Sequence, residues 1–426
     1  MIQKNYDNIG ETVIGESLEN GLATYVFQKP NFEKTFAFFA TNYGGMDTRF
    51  LVNRAWQDTP MGVAHFLEHK MFDTKDGNAL QLLSAKGASP NAFTGSAITG
   101  YYFEGSEGFY ENLETLLSFV SVPYFTKESV EKEQGIIGQE IQMIEDNPNW
   151  QAYMNLLAAL YHKHPIRNSV AGTKDSIAKI TADTLYLCHK TFYQPSNMVL
   201  CVAGNVDPER IYQIAKKILP KGGAGKIARD YGGEEPEHVC KEERSLSMEV
   251  SIPILQLGFK LKPAEDGRSR LRQKLIGDLL CEAWMGSSSP LYERLYREGL
   301  INSGFFYGYE SYPGVAFILA GGESRDPTAV REAILQEAER IGKEGLDEGL
   351  FSRLKKAAYG NQLRALNSFE YLCVEQARAH FAGEDIWIFP KLYDMIHKED
   401  LEKALGEWIS RERTAMAVIR PKEAGE

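Results

Sequence analysis

The chain has 426 residues, of which 43% are hydrophobic and 25% are charged, and its formal net charge at pH 7 is −11. This composition is typical of a globular protein with more than one domain, because single hydrophobic cores stop growing at about 250–300 residues. The negative charge argues against nucleic acid or an anionic membrane as a partner, and no apolar run approaches the roughly 20 residues that span a bilayer.

The N-terminal part contains no obvious targeting segment. Residues Met1–Asp7 provide neither a secretory apolar core nor an arginine-rich transit pattern, which predicts a cytoplasmic protein. The first predicted strands are Ala23–Gln28 and Thr35–Tyr43, which are rich in apolar and aromatic residues.

Two histidines and a glutamate stand close together in His65-Phe66-Leu67-Glu68-His69. A helix advances by about 100° per residue, so His65 and His69 point within roughly 40° of each other, with Glu68 on the same side. The preceding Thr59 and Pro60 are typical of a helix cap and a first helical position. The segment therefore predicts a helix that presents two nitrogen ligands and one base to a metal ion.

The next motif is Asn91-Ala92-Phe93-Thr94, which precedes a predicted strand at Tyr101–Phe103. The residues alone leave two interpretations open. The motif is either an edge strand that binds an extended peptide through its backbone, or a turn that leads into the following strand.

A second helix is predicted over Lys127–Asp146, because isoleucines recur at helical spacing between residues 136 and 144 and Pro148 follows its end. Glu133 and Glu140 are seven residues apart and hence lie on one face. A catalytic zinc ion usually takes three protein ligands and keeps one position open, so the two histidines need a third partner. Both glutamates are candidates, although a solvated helix face remains a competitive interpretation of Glu133 taken alone.

A glycine-rich and charged segment near the midpoint is predicted to be a linker. We therefore expect a first domain over 1–220, a linker over 221–245 and a second domain over 246–426. A faint internal repeat emerges when the chain is slid on itself so that 83–87 falls on 295–299. The histidine helix then falls on Gly277-Asp278-Leu279-Leu280-Cys281, so the fold is predicted to be duplicated without its metal ligands.

Both halves mix strands and helices. In the second half, a predicted strand at Pro253–Lys260 precedes helices at Arg268–Trp284 and Thr328–Lys343, and the halves end in strands at Met198–Ala203 and Ala415–Ile419. This order favours an α+β sandwich over a parallel doubly wound sheet. The five cysteines show no C-x-x-C spacing, which indicates free thiols in a reducing compartment.

Together these motifs resemble the inverted zincins of the pitrilysin and insulinase family. His65-Phe66-Leu67-Glu68-His69 resembles the family's H-x-x-E-H motif, Asn91-Ala92-Phe93-Thr94 resembles its substrate-binding strand, and Glu131–Glu140 resembles its acidic helix. The resemblance extends over essentially the whole chain. The length is similar to that of the half-length branch, which includes the mitochondrial processing peptidases and their bacterial relatives. The resemblance implies two tandem homologous α/β-sandwich domains joined by a linker.

The resemblance further implies a zinc-dependent endopeptidase that hydrolyses unfolded peptides or protein precursors. His65, His69 and Glu140 would hold one Zn²⁺ ion per chain, and Glu68 would be the general base. Glu133 would orient a ligand or tune the site.

The second half departs from the family at one place. Relatives carry an arginine shortly before a Gly-Leu pair and a tyrosine shortly after it, whereas this chain has Asn302 where the tyrosine is expected. Arg294 or Arg297 can substitute for the arginine, and Phe305 or Tyr307 for the aromatic ring. Alternatively, a partner chain supplies the pair, because half-length members commonly act as homodimers or as heterodimers with a related, inactive chain.

Two other functions are open. The chain could be a non-catalytic or partner-dependent subunit of a heterodimeric peptidase that mainly binds peptide. The intact set of His65, Glu68, His69 and Glu140 argues against that role, because an inactive subunit is free to lose one of them. A purely structural zinc site is the weaker alternative, because it would leave Glu68 without a use.

Overall fold

The structure, a computed structural model of the chain, describes residues 1–75, 77–221 and 225–422. It divides into two compact units. The first unit comprises Met1–Ile141, Asn168–Tyr231 and Leu363–Gly383, and the second comprises Gln142–Arg167, Gly232–Gln362 and Glu384–Glu426. Each unit combines helices with one main sheet, which confirms the predicted α+β class.

The strands are β1 Ile2–Tyr6, β2 Glu11–Ser17, β3 Ala23–Gln28, β4 Thr35–Thr41, β5 Arg49–Val52, β6 Ala55–Asp58, β7 Asp73–Thr74, β8 Gly77–Asn78, β9 Ser89–Thr94, β10 Thr99–Gly105, β11 Met198–Gly204, β12 Glu243–Met248, β13 Ile254–Leu261, β14 Phe306–Tyr312, β15 Val315–Glu323 and β16 Thr414–Pro421.

The helices are α1 Val63–Met71, α2 Ala79–Ser84, α3 Phe109–Ser121, α4 Lys127–Glu145, α5 Pro148–Leu160, α6 Lys174–Ile177, α7 Ala182–Phe192, α8 Pro208–Ile218, α9 Gly267–Met285, α10 Pro290–Arg297, α11 Pro327–Glu344, α12 Glu348–Ala365, α13 Phe369–Ala382, α14 Phe389–Asp394 and α15 Lys398–Trp408. Short 3₁₀ helices cover Pro165–Arg167, Pro195–Asn197, Ile386–Ile388 and Arg411–Arg413.

The main sheet of the first unit has the strand order β1-β2-β3-β11-β4-β10-β9. Strand β11 runs parallel to β3 and antiparallel to β4. Every residue of β4 and β11 is buried, which explains their nearly continuous apolar sequences, since a strand covered on both faces needs no polar alternation. Strand β9 lies at the edge of this sheet, next to β10.

The sheet of the second unit, β12-β16-β13-β15-β14, repeats the order β3-β11-β4-β10-β9 of the first. In both sheets the first pair of strands is parallel and the following pairs are antiparallel. The helices α2 and α10 also correspond, because each is followed by a glycine with positive φ, Gly87 at 76° and Gly299 at 69°. The duplication inferred from the sequence is therefore present in the backbone.

One helix in each unit comes from the other half of the chain. Helix α5 packs on β13 and β16 of the second unit, where Gly258 leaves room for the side chain of Leu156. Helix α13 packs on β4 and β11 of the first unit. The two units therefore differ from the predicted contiguous division into 1–220 and 246–426 at α5 and α13. Each of these helices packs on the sheet of the other half, because the apolar face of a sheet must be covered. The domain boundaries themselves stay a prediction.

The prediction of a helix start at Thr59 and Pro60 was wrong. Helix α1 begins at Val63, and its N-cap is Gly62, with φ of 92° in the left-handed region. A Cβ atom on Gly62 would lie 2.6 Å from the carbonyl oxygen of Ala171, so the chain enters α1 through a close backbone contact that only glycine permits.

The predicted linker 221–245 is described only in part, because 222–224 lie outside the described residues. Residues 225–231 belong to the first unit and are anchored to it. Arg229 Nε lies 2.8 Å from Oδ1 of the buried Asp47, and Tyr231 donates a hydrogen bond of 2.8 Å to the same carboxylate. The linker region ends at Glu243, where β12 begins.

In the second unit, Glu235 is enclosed by hydrogen-bond donors. Its carboxylate accepts the backbone N–H groups of three consecutive residues, 162–164, at 2.7–3.0 Å and the Lys260 ammonium at 3.0 Å. Burial alone would raise the pKa of Glu235, but these donors outweigh it and lower the pKa to about 2.

The five cysteines are free thiols, four of them buried. Within the described ranges, no helix combines the length and the apolar character needed to cross a membrane.

Candidate metal centre

The centre is built on α1 and α4 of the first unit. Residues Phe66, Leu67 and Met71 bury one side of α1, whereas His65 and His69 remain partly accessible on the other. Helix α4 buries Ile137 and Ile141 in the same way. The apolar periodicity of both helices thus fixes which side carries the polar groups.

The structure brings His65, His69 and Glu140 together. His65 Nε2 lies 3.5 Å from Glu140 Oε1, and His69 Nε2 lies 3.6 Å from Glu140 Oε2. The two imidazole rings are 4.6 Å apart between centroids. In the described part of the chain, this is the one group of histidine, cysteine and acidic residues whose ligand atoms converge, all within 4.8 Å of one another.

These distances suit a tetrahedral zinc ion. Zn–N and Zn–O bonds of about 2.0–2.2 Å place two ligand atoms roughly 3.3–3.6 Å apart. The observed N···O distances of 3.5 and 3.6 Å fall in or close to this range and exceed a normal hydrogen bond. The ligand side chains are 12–31% exposed, so the centre is sheltered but reachable. The residues present therefore fit zinc.

The two histidines are held differently. His69 Nδ1 is 3.1 Å from Glu133 Oε1, so Glu133 accepts the Nδ1–H and leaves Nε2 free to act as a ligand. His65 Nδ1 is buried and has no hydrogen-bond partner among the described residues. The ring of His65 is therefore positioned by packing, and that of His69 by a carboxylate.

Acidic groups surround His69. Burial disfavours its charged form, but the hydrogen bond to Glu133 and the charges of Glu68 and Glu140 outweigh burial and raise the pKa of His69. The close approach of His65, with a contribution from the charge of His69, lowers the pKa of Glu140. The negative field favours a cation at this place.

Glu68, the predicted base, is buried and is held by the end of β9. Thr94 Oγ1 donates a hydrogen bond of 2.6 Å to Glu68 Oε2, and Thr99, opposite Thr94 in the sheet, bonds the carbonyl oxygen of Tyr43. The contact of Thr94 with Glu68 could not be found from the sequence, because no local spacing links residues 26 positions apart.

Asn91 to Thr94 form a strand and not a turn, since all four residues belong to β9. The side-chain oxygen of Asn91 accepts the backbone N–H of Ala92 at 2.9 Å. Phe93 stacks on Phe38 with a centroid distance of 5.8 Å. The strand therefore has the edge position that was expected, whereas its role in substrate binding stays a prediction.

Arg294 and Arg297 lie in α10 of the second unit, and both are exposed. Arg297 pairs with Glu293 at 2.6 Å. Asn302, which replaces the expected tyrosine, donates to Glu323 at 2.9 Å and accepts the N–H of Gly304 at 2.8 Å. Asn302 thus orders its own turn, and a substrate role for either arginine stays a prediction.

Comparisons with known proteins agree in both halves of the chain. Residues 55–174 match the family model described as Insulinase (Peptidase family M16), and residues 179–358 match the model described as Peptidase M16 inactive domain. The uncharacterized zinc protease YmfH of Bacillus subtilis is 38% identical over 98% of both chains.

Solved structures show the same fold. The crystal structure of an M16-like peptidase from Alicyclobacillus acidocaldarius superposes with a TM-score of 0.92, at 32% identity, over 97% of this chain and 99% of that one. A peptidase M16 inactive domain from Pseudomonas fluorescens superposes with a TM-score of 0.82 at 15% identity, over 97% and 99% of the two chains.

Proposed function

This chain belongs to the insulinase family of peptidases, peptidase family M16, and from that premise we propose that it is a zinc-dependent endopeptidase acting on unfolded peptides or protein precursors. The observation that carries the proposal is the convergence of His65 and His69 Nε2 on the two oxygens of Glu140, at 3.5 and 3.6 Å. Relatives that are named zinc proteases support the choice of metal.

In this proposal His65, His69 and Glu140 hold one zinc ion per chain. When bound, the ion polarises the carbonyl of a peptide bond and lowers the pKa of a water molecule. Glu133 keeps the ring of His69 in one tautomer, because its carboxylate accepts the Nδ1–H. Glu133 and Glu140 of α4 thus both face the histidines.

Glu68 acts as the general base. Its carboxylate takes a proton from water while the hydroxyl adds to the peptide carbonyl carbon, and it then delivers the proton to the nitrogen as the C–N bond breaks. The hydrogen bond from Thr94 occupies Oε2 of Glu68 and fixes the orientation of the carboxylate. Oε1 is then the oxygen that carries the proton.

The substrate binds as an added strand on β9. An extended peptide at a sheet edge is held mainly by backbone hydrogen bonds, so unfolded segments are preferred over folded ones. We further propose that the active form is a cytoplasmic homodimer, or a heterodimer with a related chain. Arg294 or Arg297 of the second unit then contributes to holding the peptide.

The experiment that tests this function is digestion of a mixture of unfolded peptides by the purified protein. Zinc content is measured by mass spectrometry for the wild-type protein and for the variant Glu68→Gln, and both proteins are assayed for cleavage. We expect cleavage that a chelator stops and zinc restores, and that falls by about 10²–10⁴-fold in Glu68→Gln with zinc retained. Substantial turnover by that variant would exclude Glu68 as the base.

A second candidate is a subunit that binds peptide without cutting it. The match of residues 179–358 to a domain described as inactive favours it. Bound zinc without cleavage in the same experiment, followed by activity on adding a related chain, would support this alternative.

A further inference from the structure

A cavity of about 810 Å³ lies beside the first residues of β9, in the first unit. Leu80 and Ser84 of α2 form one wall, Ser89 and Pro90 of β9 form a second, and Ser106, after β10, contributes a third. The volume lies in the range of pockets that bind small ligands or short peptide segments. Because Ser84, Ser89 and Ser106 are exposed, the cavity opens to solvent.

The open edge of β9 leads from the candidate metal centre to this cavity. The N–H of Ala92 bonds the side chain of Asn91 and not β10, so Ala92 presents its backbone groups to the open edge. Backbone direction alternates along a strand, and therefore Thr94 and Pro90 face the same way. Thr94 offers an N–H to an added peptide, and Ala92 offers its carbonyl oxygen while its N–H donates to Asn91. Pro90 has no N–H to offer.

At Pro90 a bound peptide therefore loses one backbone hydrogen bond, because only the carbonyl oxygen of Pro90 remains to pair with it. Thr94 contacts Glu68, the proposed base, and marks the place of the scissile bond. The five residues from Thr94 back to Ser89 span roughly 17 Å at about 3.3 Å per residue. A peptide that follows β9 over this distance reaches the cavity where pairing with the strand ends.

We propose that this cavity is a specificity subsite that binds the substrate about five residues from the scissile bond. The inference rests on the proposed peptidase function. Among the lining residues, Lys34 and Glu104 carry charge, and they pair with each other at 2.5 Å. Serine hydroxyls both donate and accept hydrogen bonds. The subsite therefore favours an uncharged side chain over a basic or an acidic one.

The test uses peptides with one cleavage site. On each side of that site, independently of the other side, the peptide has either three or seven flanking residues. Two separate variants, Ser84→Trp and Ser106→Trp, each place a bulky side chain in the lining of the cavity. The controls are Leu82→Trp and Glu107→Trp, at exposed positions of the same segments that do not line the cavity. The readout is kcat/KM for each peptide, with Gln, Lys or Glu placed five residues from the bond.

For the wild-type protein and the controls, we expect kcat/KM to be about tenfold higher for peptides extended on one side, with Gln preferred over Lys and Glu. Both cavity variants should lose this gain and still cleave the short peptide at the wild-type rate. Equal rates on long and short peptides in the wild type, or a gain retained in both variants, would overturn the subsite. Failure of the wild type to cleave any peptide would instead overturn the function itself.

Discussion

The two sheets share one strand order but carry different helices at equivalent places in the sequence. Helix α1 has 9 residues and presents His65 and His69 to a half-open site, whereas α9 has 19 residues. At the position that corresponds to the histidine motif, α9 carries Leu279, Leu280 and Cys281, which are buried in the second unit. The same strand frame thus supports either a helix that carries chemistry or one that only packs.

This difference shows that the fold does not require the polar residues of the candidate metal centre. In the second unit Gly277 packs directly under Tyr309, an ideal Cβ lying 2.5 Å from the ring, and no polar group of that segment is needed. In the first unit a buried carboxylate, Glu68, requires a partner from β9. Because the strand order forms with or without the polar groups of the candidate metal centre, we expect substitutions at this centre to change function more than stability.

The largest effect should follow from removing a ligand in the first unit. In Glu140→Ala we expect zinc affinity to fall by more than about 100-fold, because two imidazoles alone remain, and in Glu133→Gln by about 10–100-fold. Competition with a chelator of known affinity measures both. Glu145→Ala, at an exposed position near the end of α4, is the control. Unchanged zinc content in Glu140→Ala would show that another residue is the third ligand, and Glu133 would be the first candidate.

A smaller effect should be common to both units. Each contains a buried histidine whose Nε2 donates to a backbone carbonyl at 3.0 Å, His189 to Val120 in the first and His164 to Pro313 in the second. Burial lowers the pKa of each to about 4. The unfolded chain takes up these protons near pH 6.5, so stability is complete above that pH and falls between pH 6.5 and 4.

Each histidine should contribute a loss of up to about 3 kcal/mol over this range, since one pKa unit corresponds to about 1.4 kcal/mol. Urea unfolding of His164→Gln and His189→Gln at pH 7.5, 5.5 and 4.5 measures it. Both variants should be less stable at pH 7.5 and less sensitive to acid. The exposed His238→Gln is the control. An acid dependence equal to that of the wild type in both variants would contradict the assignment.

A further contrast concerns glycines inside the helices of the second unit. Gly277→Ala should destabilise by about 1–3 kcal/mol, because the new Cβ overlaps the ring of Tyr309. Gly342→Ala, in α11, is the matched control, because a Cβ there meets no atom within 4 Å. The thermal midpoints of the two variants should shift in opposite directions. Equal midpoints would show that α9 can move away from the ring.

The smallest effect is expected in the helix that carries Glu133 and Glu140. Gly135 also meets nothing within 4 Å, so Gly135→Ala should stabilise α4 by up to about 1 kcal/mol and raise the thermal midpoint by about 2 °C. Zinc content should not change. A loss of zinc in this variant would show that the ligands depend on flexibility of α4, which distinguishes it from α9.

Local patterns predicted much of this molecule. The isoleucine spacing gave α4 as Lys127–Asp146, and the structure has Lys127–Glu145. The prediction for β3, Ala23–Gln28, agrees at both ends. The separation of Glu133 and Glu140 by two helical turns also indicated that both would face one site. Such features depend on neighbours within a few residues, which a sequence displays directly.

Features that depend on distant contacts could not be predicted. The start of α1 is set by the contact of Gly62 with Ala171, more than 100 residues away. The bond between Thr94 and Glu68 joins a strand to a helix, and the exchange of α5 and α13 between the sheets depends on tertiary packing. In each case the partner is distant in sequence, and no periodicity within one segment identifies it.

The placement of α13 has a consequence for the order in which the protein is made. The central strands of the first sheet, β4 and β11, are complete once Gly204 has been synthesised, but the helix that covers them ends only at Ala382. The apolar face of that sheet stays exposed on the ribosome until most of the second half has been translated, although domains generally fold in order from the N-terminus. The half that carries the candidate metal centre is thus the first to be synthesised and among the last to be covered. A nascent chain arrested before Phe369 presents an exposed apolar sheet face, which is the kind of surface that chaperones recognise.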